Sequence, residues 1–436
     1  MEKRAMRDGK GIMTPGRIFL LLAIFVTSSW AGPARAEEAP RPVGYYVDSA
    51  LVAYPSLASM RQRIEMKRSE AVRAGALDDP KVWIGLSNVP VRSWSFREED
   101  MTGKEIGLSQ MLPYPGKRDH AVQIATREKE QAEFELEEMR NMLRADVKMA
   151  YAELSSVRGQ AELVRRSRAI LEQVVDVSRE MFVVGKGRQP DVLRGQIEYQ
   201  KMREMLLMLE NRERLLSIRL NTLAALPPGT PVPAIDNLAE FPSAYDASEL
   251  QSIYREERPA RKAVMARIEK GTIGVLHAKH EGRPDFEVSA SYMQRDAMTD
   301  GTSRPDMFST MVSMTLPIWK KGKIEPGVSA MIAGREMAVR DLETLDSEAA
   351  NAIGGAVSSL GNFAAVATLY RTTLIPQAEQ AIQSNLEAYR VGTIDFPMMM
   401  DSLMSELGFR KEYAGMVGEM HMTKARLEAA VGRELP

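Results

Sequence analysis

A duplication limits what this chain can fold into more than any other feature of its 436 residues. Pro80-Lys81-Val82-Trp83-Ile84-Gly85-Leu86 is followed by Lys104 to Pro113 and then by Gly116-Lys117. Pro284 to Tyr292 is followed by Phe308 to Pro317 and then by Gly322-Lys323. The two Leu-Pro pairs, 112–113 and 316–317, lie 204 residues apart. Phe182-Val183-Val184-Gly185 and Tyr389-Arg390-Val391-Gly392 lie 207 apart at the glycine. Two alignments in one order at nearly one offset mark an internal repeat. Each copy reads as two short strands followed by a long helical hairpin.

The boundaries drawn from this are a signal peptide at 1–36, a first repeat at 37–226, an inter-repeat equatorial segment at 227–258 and a second repeat at 259–436. Strands are expected at about 80–90, 104–113, 284–294 and 306–317, and helical hairpins at about 117–226 and 327–433. The signal assignment rests on the basic residues Lys3, Arg4, Arg7, Lys10 and Arg17, the apolar run Ile18 to Val26, and Ala34-Arg35-Ala36 as a cleavage site. Export is the consequence. Without that segment 52 Lys and Arg face 57 Asp and Glu, a balance that does not advertise a nucleic-acid partner. Cysteine is absent, which rules out disulfides, thiolate metal sites and a lipid-bearing cysteine. Beyond the signal no 18 consecutive residues are apolar, so membrane contact is expected through strands rather than a transmembrane helix.

Val82, Ile84 and Leu86 alternate with Trp83, Gly85 and Ser87, and Ile106, Leu108 and Leu112 oppose Glu105, Gly107, Ser109 and Met111. In the second copy Phe286, Val288, Ala290 and Tyr292 oppose Asp285, Glu287, Ser289 and Ser291, and Phe308, Val312, Met314 and Leu316 oppose Ser309 and Ser313. This period of two suits a sheet with lipid or core on one side and water on the other. Four strands cannot close a barrel, and an open sheet would leave edges that a bilayer does not tolerate. The sheet must therefore pack on its helices or pool strands with other copies.

No proline occurs between Pro115 and Pro190, and a helix from Lys117 to Val184 would be about 100 Å long at ~1.5 Å per residue. Leu136, Met139, Leu143, Val147, Ala150, Leu154, Val157, Ala161 and Val164 form a stripe with a mean step of 3.5 residues, the heptad value that imposes left-handed supercoiling. The return helix carries Leu193, Ile197, Met205, Leu209, Leu216, Leu220 and Leu223 and stops at Pro227-Pro228-Gly229. In the second hairpin small residues from Ala349 to Ala367 permit close helix approach, and Pro376 should kink the helix or end a segment.

Duplicated strand-strand-hairpin units, an export signal, and a glycine followed by an aspartate at each hairpin reversal together resemble the TolC family of outer-membrane efflux channels. The residues that carry the likeness are Gln110 to Arg118, Thr315-Leu316-Pro317, Phe182 to Leu193, and Tyr389 to Thr393 with Asp401. The Pro115-Gly116-Lys117-Arg118 form is most similar to the heavy-metal-exporting branch. The resemblance implies a mostly α fold with a small β part. In it a homotrimer builds one 12-stranded outer-membrane β-barrel, four strands from each subunit, and a long periplasmic α-helical barrel.

The resemblance further implies localisation in the outer membrane of a Gram-negative bacterium, embedded in its lipid and extending into the periplasm. The function implied is passive export, as the exit duct of a tripartite efflux pump with metal ions as possible cargo. Its partners would be a periplasmic adaptor and an inner-membrane proton-driven pump. The rival reading is a periplasmic coiled-coil adaptor, which needs one hairpin where this chain has two. Ending at Pro436, the chain departs from the commoner pattern, which puts a C-terminal contribution to the equatorial belt in doubt.

The candidate sites follow from this frame. Pro113, Pro115, Gly116, Pro317 and Gly322 are the strand-to-helix turns, and Gly185, Asp191, Gly392 and Asp401 mark the hairpin tips where an adaptor would dock. TolC relatives carry two aspartates a turn apart at the second reversal; here Met398 replaces the first and Asp401 keeps the second. Asp401 is thus the candidate gate and cation-selective ring, while Asp191, just after Pro190, suits a helix N-terminus. His277 and His280, spaced i, i+3 beside Glu281, could offer two imidazoles to a metal, but no third ligand is evident and solvated residues are the plainer reading. The methionines of the last helix, Met398-Met399-Met400 and Met404 among them, read as packing residues. No Ser-His-Asp, P-loop, HExxH or paired-Cys pattern occurs, and Gly185-Lys186-Gly187 is too short for a phosphate cradle. Neither an enzyme nor a cofactor is expected.

Overall fold

The computed structural model describes residues 40–242 and 244–436, so the expected signal peptide lies outside the described residues. Four antiparallel strands, β1 (Lys81–Ser87), β2 (Gly103–Leu112), β3 (Phe286–Gln294) and β4 (Met307–Met314), form one sheet in the order β1-β2-β3-β4. The repeats join where β2 pairs with β3, Leu108 opposite Ala290. Both outer edges, β1 and β4, are free.

The register settles the two faces. Val82 opposes Leu108, Ile84 opposes Ile106, Leu112 opposes Phe286, Val288 opposes Val312 and Tyr292 opposes Phe308, so one face is apolar across all four strands. On the other face Gly107 opposes Trp83, and a Cβ at Gly107 would lie 2.1 Å from the indole, so only glycine lets the ring lie flat there. Ser109 and Ser289 are covered on this inner face, at 7% and 8% exposure.

The helices come in matching sets. α1 (Val43–Ala53) and α2 (Pro55–Ala74) precede β1, and α5 (Ala247–Glu257) and α6 (Pro259–His280) precede β3, again 204 residues apart at their starts. The second unit therefore begins at Ala247, ahead of the expected 259. What was read as the end of the equatorial segment is the counterpart of α1. α3 (Lys117–Val183) is a single helix of 67 residues. α4 (Gln189–Leu223) returns alongside it. In the second unit the outgoing helix is α7 (Glu325–Leu369) with α8 (Ile375–Arg390), and α9 (Phe396–Val431) returns.

Of the α3 stripe, Leu136, Leu143, Val147, Ala150, Leu154, Val157, Ala161 and Val164 are buried and Met139 packs against them. In α4, Leu216 and Leu220 are buried with Met202 and Leu206, whereas Leu193 and Ile197 face outward, about half exposed. Met399, Met400 and Leu403 of α9 close a core with Val174, Val175 and Phe396 near the reversals, which gives those methionines their packing role.

Two π-turns interrupt the second outgoing helix, Lys320–Ile324 before α7 and Tyr370–Leu374 before α8. Pro376 follows the latter. It has no N–H to continue the α ladder, and the wider turn lets the helix pass through instead of ending. The continuous helix Lys320–Arg390 is, by length and composition alone, apolar enough to cross a membrane, although no run of 18 apolar residues marks it. Its small residues explain this. Gly354, Gly355 and Gly361 meet nothing where a Cβ would stand, so that flank has no neighbour within one chain.

Candidate functional site

Two regions position the candidate residues: the turns where strands become helices, and the reversals at the far end of the hairpins. At the first, Pro113 and Pro115 end β2, and Gly116 takes φ +92, a left-handed value that opens α3. The Asp285 carboxylate accepts from the Tyr114 N–H at 2.7 Å and from Lys117 Nζ at 2.9 Å, and Lys117 also donates to the Arg283 carbonyl at 3.2 Å. Burial pushes the Asp285 carboxyl up, but the Lys117 and Tyr114 hydrogen bonds outweigh it and hold it below the usual range. A depressed carboxyl stabilises above its unfolded value of 3.8, and this support is lost as pH falls below it. Lys117→Met, which strands a partly buried carboxylate, should cost about 1–2 kcal/mol per chain at neutral pH. The deficit in thermal midpoint should shrink below about pH 4. An unchanged midpoint at pH 7 would show the pair to be dispensable.

The second copy of this turn differs. Pro317 sits within a tight turn closed by Ile318 N–H on the Leu316 carbonyl at 2.8 Å. Gly322, expected as the turn residue, lies inside the π-turn and has no left-handed φ, because Lys320 and not Gly322 is in register with Gly116. The repeat is reproduced in the strands but not in the residue that starts the helix.

At the reversals both glycines are as placed. Gly185 (φ +73) and Gly392 (φ +77) end their helices, with Lys186 N–H returning to the Met181 carbonyl and Thr393 N–H to the Ala388 carbonyl. Pro190 and Pro397 then open the return helices. Asp191 accepts no hydrogen bond from its own helix end. Instead it lies near Tyr389 of the other repeat, whose phenol is pushed up by burial first and then by that carboxylate. The cap of α9 is Asp395, which sequence reasoning missed; it accepts from the Met398 N–H at 3.2 Å. The signal was present as Asp-Phe-Pro, an acidic cap just before a first-turn proline. Asp401 is exposed one turn further on and, with Asp395, Met398, Ser402 and Phe409, lines a groove of about 680 Å³ between α8 and α9.

The histidines do not pair as their spacing suggested. His280 Nδ1 is 3.0 Å from the Leu276 carbonyl and its ring stands edge-on to His120, centroids 4.8 Å apart, while His277 is near Glu281 at 3.8 Å. No group of three His, Asp or Glu able to hold a metal occurs among the described residues. His421 is pushed down by burial and contacts the Ala239 carbonyl at 2.9 Å. It thereby helps the irregular segment before α5 wrap the helices. Glu240 in that segment accepts from Arg371 at 3.1 Å and from Tyr413 at 2.7 Å, and Arg158 donates to the carbonyls of Val232 and Pro233.

Residues 46–226, which run from within α1 to just past the end of α4, match the family model described as outer membrane efflux protein. That stretch, the first repeat without its opening residues, is similar to the outer membrane efflux proteins. Among solved structures it superposes on VceC from Vibrio cholerae with a TM-score of 0.75 at 20% identity, covering 90% of this chain and 97% of that one. The open state of the Neisseria gonorrhoeae MtrE outer membrane channel gives 0.73 at 16%, covering 90% and 89%. CusC, described with conformational changes in transmembrane channel formation, gives 0.73 at 12%, covering 91% and 93%. No curated protein sequence matches the chain. The fold is therefore that of the TolC-like channels along nearly the whole described length.

Proposed function

We propose that three copies of this chain form the exit duct of a tripartite efflux pump, with four strands from each subunit closing a 12-stranded barrel. The observation that carries the reading is the open sheet. β1 and β4 present unpaired edges while Val82, Ile84, Leu108, Val288, Phe308 and Val312 expose an apolar face, and neither is stable alone in a bilayer. Pooling strands removes the edges. The unfilled small-residue flank of α7 and the outward Leu193 and Ile197 of α4 supply matching helical contacts between subunits.

Transport on this reading is passive. A periplasmic adaptor docks on the tips around Gly185, Asp191, Gly392 and Asp401 and couples the duct to a proton-driven inner-membrane pump. Metal cations are the cargo class favoured by the Pro115 to Arg118 motif and by the exposed acids at the entrance. Membrane fractionation tests the assembly. The protein should appear with the outer membrane as a species near three times the monomer mass that collapses to monomer on boiling. A soluble periplasmic monomer would overturn the duct and favour the adaptor.

A further inference from the structure

The two strand-to-helix turns have opposite electrostatic outcomes. In the first, Lys117 is neutralised by Asp285, and its side chain is only 8% exposed. Its counterpart 204 residues on is Lys321, and the counterpart of Asp285 on the preceding strand is Lys81. The repeat register therefore sets Lys81 and Lys321, in place of that ion pair, at the junction where β4 would meet the β1 of another copy, although the turn that carries Lys321 is built differently. Asp79 takes the place of Arg283, whose guanidinium turns over the Tyr114 ring at 5.8 Å and not toward Lys117. Lys320, Lys321 and Lys323 are all exposed, and among the described residues none has a carboxylate partner.

The apolar face leads directly to them. Phe308, Val312 and Met314 of β4 keep their alternation past the strand end through Leu316 and Ile318, 68% and 69% exposed, to Trp319 at 73%. Tryptophan prefers the depth where acyl chains give way to headgroups. The lysines follow it immediately, at the end of the barrel from which the long helices leave. That end faces the periplasm.

We propose that Lys320, Lys321 and Lys323, together with Lys81 of the partner subunit and with Trp319 above them, bind the phosphate headgroup of an anionic phospholipid in the periplasm-facing leaflet. This rests on the trimeric reading. The lipid supplies at the junction between subunits the anion that Asp285 supplies within one. Three cations near a surface also attract anionic lipid more strongly than any one of them alone.

Native mass spectrometry of purified trimers, titrated with mixed micelles of phosphatidylglycerol or phosphatidylcholine, tests it. Trimers should retain phosphatidylglycerol in preference, and Lys320→Gln/Lys321→Gln/Lys323→Gln should weaken retention roughly tenfold or more. The triple arginine variant should keep it. Inorganic phosphate at equal concentration should not displace the lipid, because Trp319 and Ile318 hold acyl chain and not phosphate. In the unmodified protein the preference should fall as salt rises. Trimers that bind both lipids equally, or a salt-independent preference, would overturn the site while leaving the duct intact. Failure of the unmodified chain to form trimers would overturn the reading on which it rests.

Discussion

Arginine at Val288 or at Leu108 should remove the boiling-sensitive trimer from the outer membrane. Both residues are mid-strand on the apolar face, 43% and 49% exposed in the single chain, opposite Val312 and Ala290 respectively. A cation at mid-depth on a lipid-facing strand costs about 2–4 kcal/mol, and a trimer carries three, so about 6–12 kcal/mol is set against assembly. The matched control is Ser309→Arg, on the inner face and exposed, which should leave trimer yield within about twofold. Alternation alone would also have offered Ser109 and Ser289 as tolerant positions. The structure withdraws them, because both are already covered on the inner face. Arginine there fails for want of room, whatever the bilayer does. Equal loss from Val288→Arg and Ser309→Arg would show that the apolar face does not meet lipid.

The elements legible in the sequence were those with long-range or strongly periodic signals. The duplicated Leu-Pro and Val-Gly pairs marked the strand positions and both reversals, and the 3.5-residue stripe from Leu136 to Val164 marked the face of α3 that is buried. α1, α2 and α5 left a fainter mark. α1 and α5 run for 11 residues each, α5 with the short stripe Leu250, Ile253 and Tyr254, and α2 is strongly polar with Leu57 its one buried residue. Tyr54-Pro55 and Arg258-Pro259 at the repeat offset were the readable sign, each proline opening a helix. Gly322 misled because a glycine near the expected turn was equated with Gly116, although only the backbone angle decides that role. For His277 and His280, helical spacing says which residues share a face and not what that face meets. His280 meets His120 of α3, which no spacing within α6 could reveal.

The same distinction between spacing and surroundings decides the aspartates at the tips, and it points to a measurement on single channels. Asp401→Ala should relieve the block of current that a trivalent cation imposes from the periplasmic side, weakening it roughly tenfold, whereas Asp191→Ala should not. In the proposed trimer, threefold symmetry would convert one exposed carboxylate into a ring of three, and a ring of one sign at a constriction selects ions. Asp401 meets the requirement of freedom: it is exposed in the α8–α9 groove, sits beyond the first turn of α9, and no cation pairs with it among the described residues. Asp191 is half-buried and close enough to Tyr389 to push its phenol up, after burial. Asp395 lines the same groove, yet its carboxylate is engaged by the Met398 N–H as the cap of α9. Asp395→Ser separates charge from capping, since serine caps a helix about as well as aspartate while carrying no charge. The expected order of residual block is therefore Asp191→Ala near the unmodified channel, Asp395→Ser between, and Asp401→Ala lowest. A block that survives Asp401→Ala and falls only with Asp395→Ser would assign selectivity to the cap and leave Asp401 as a surface charge.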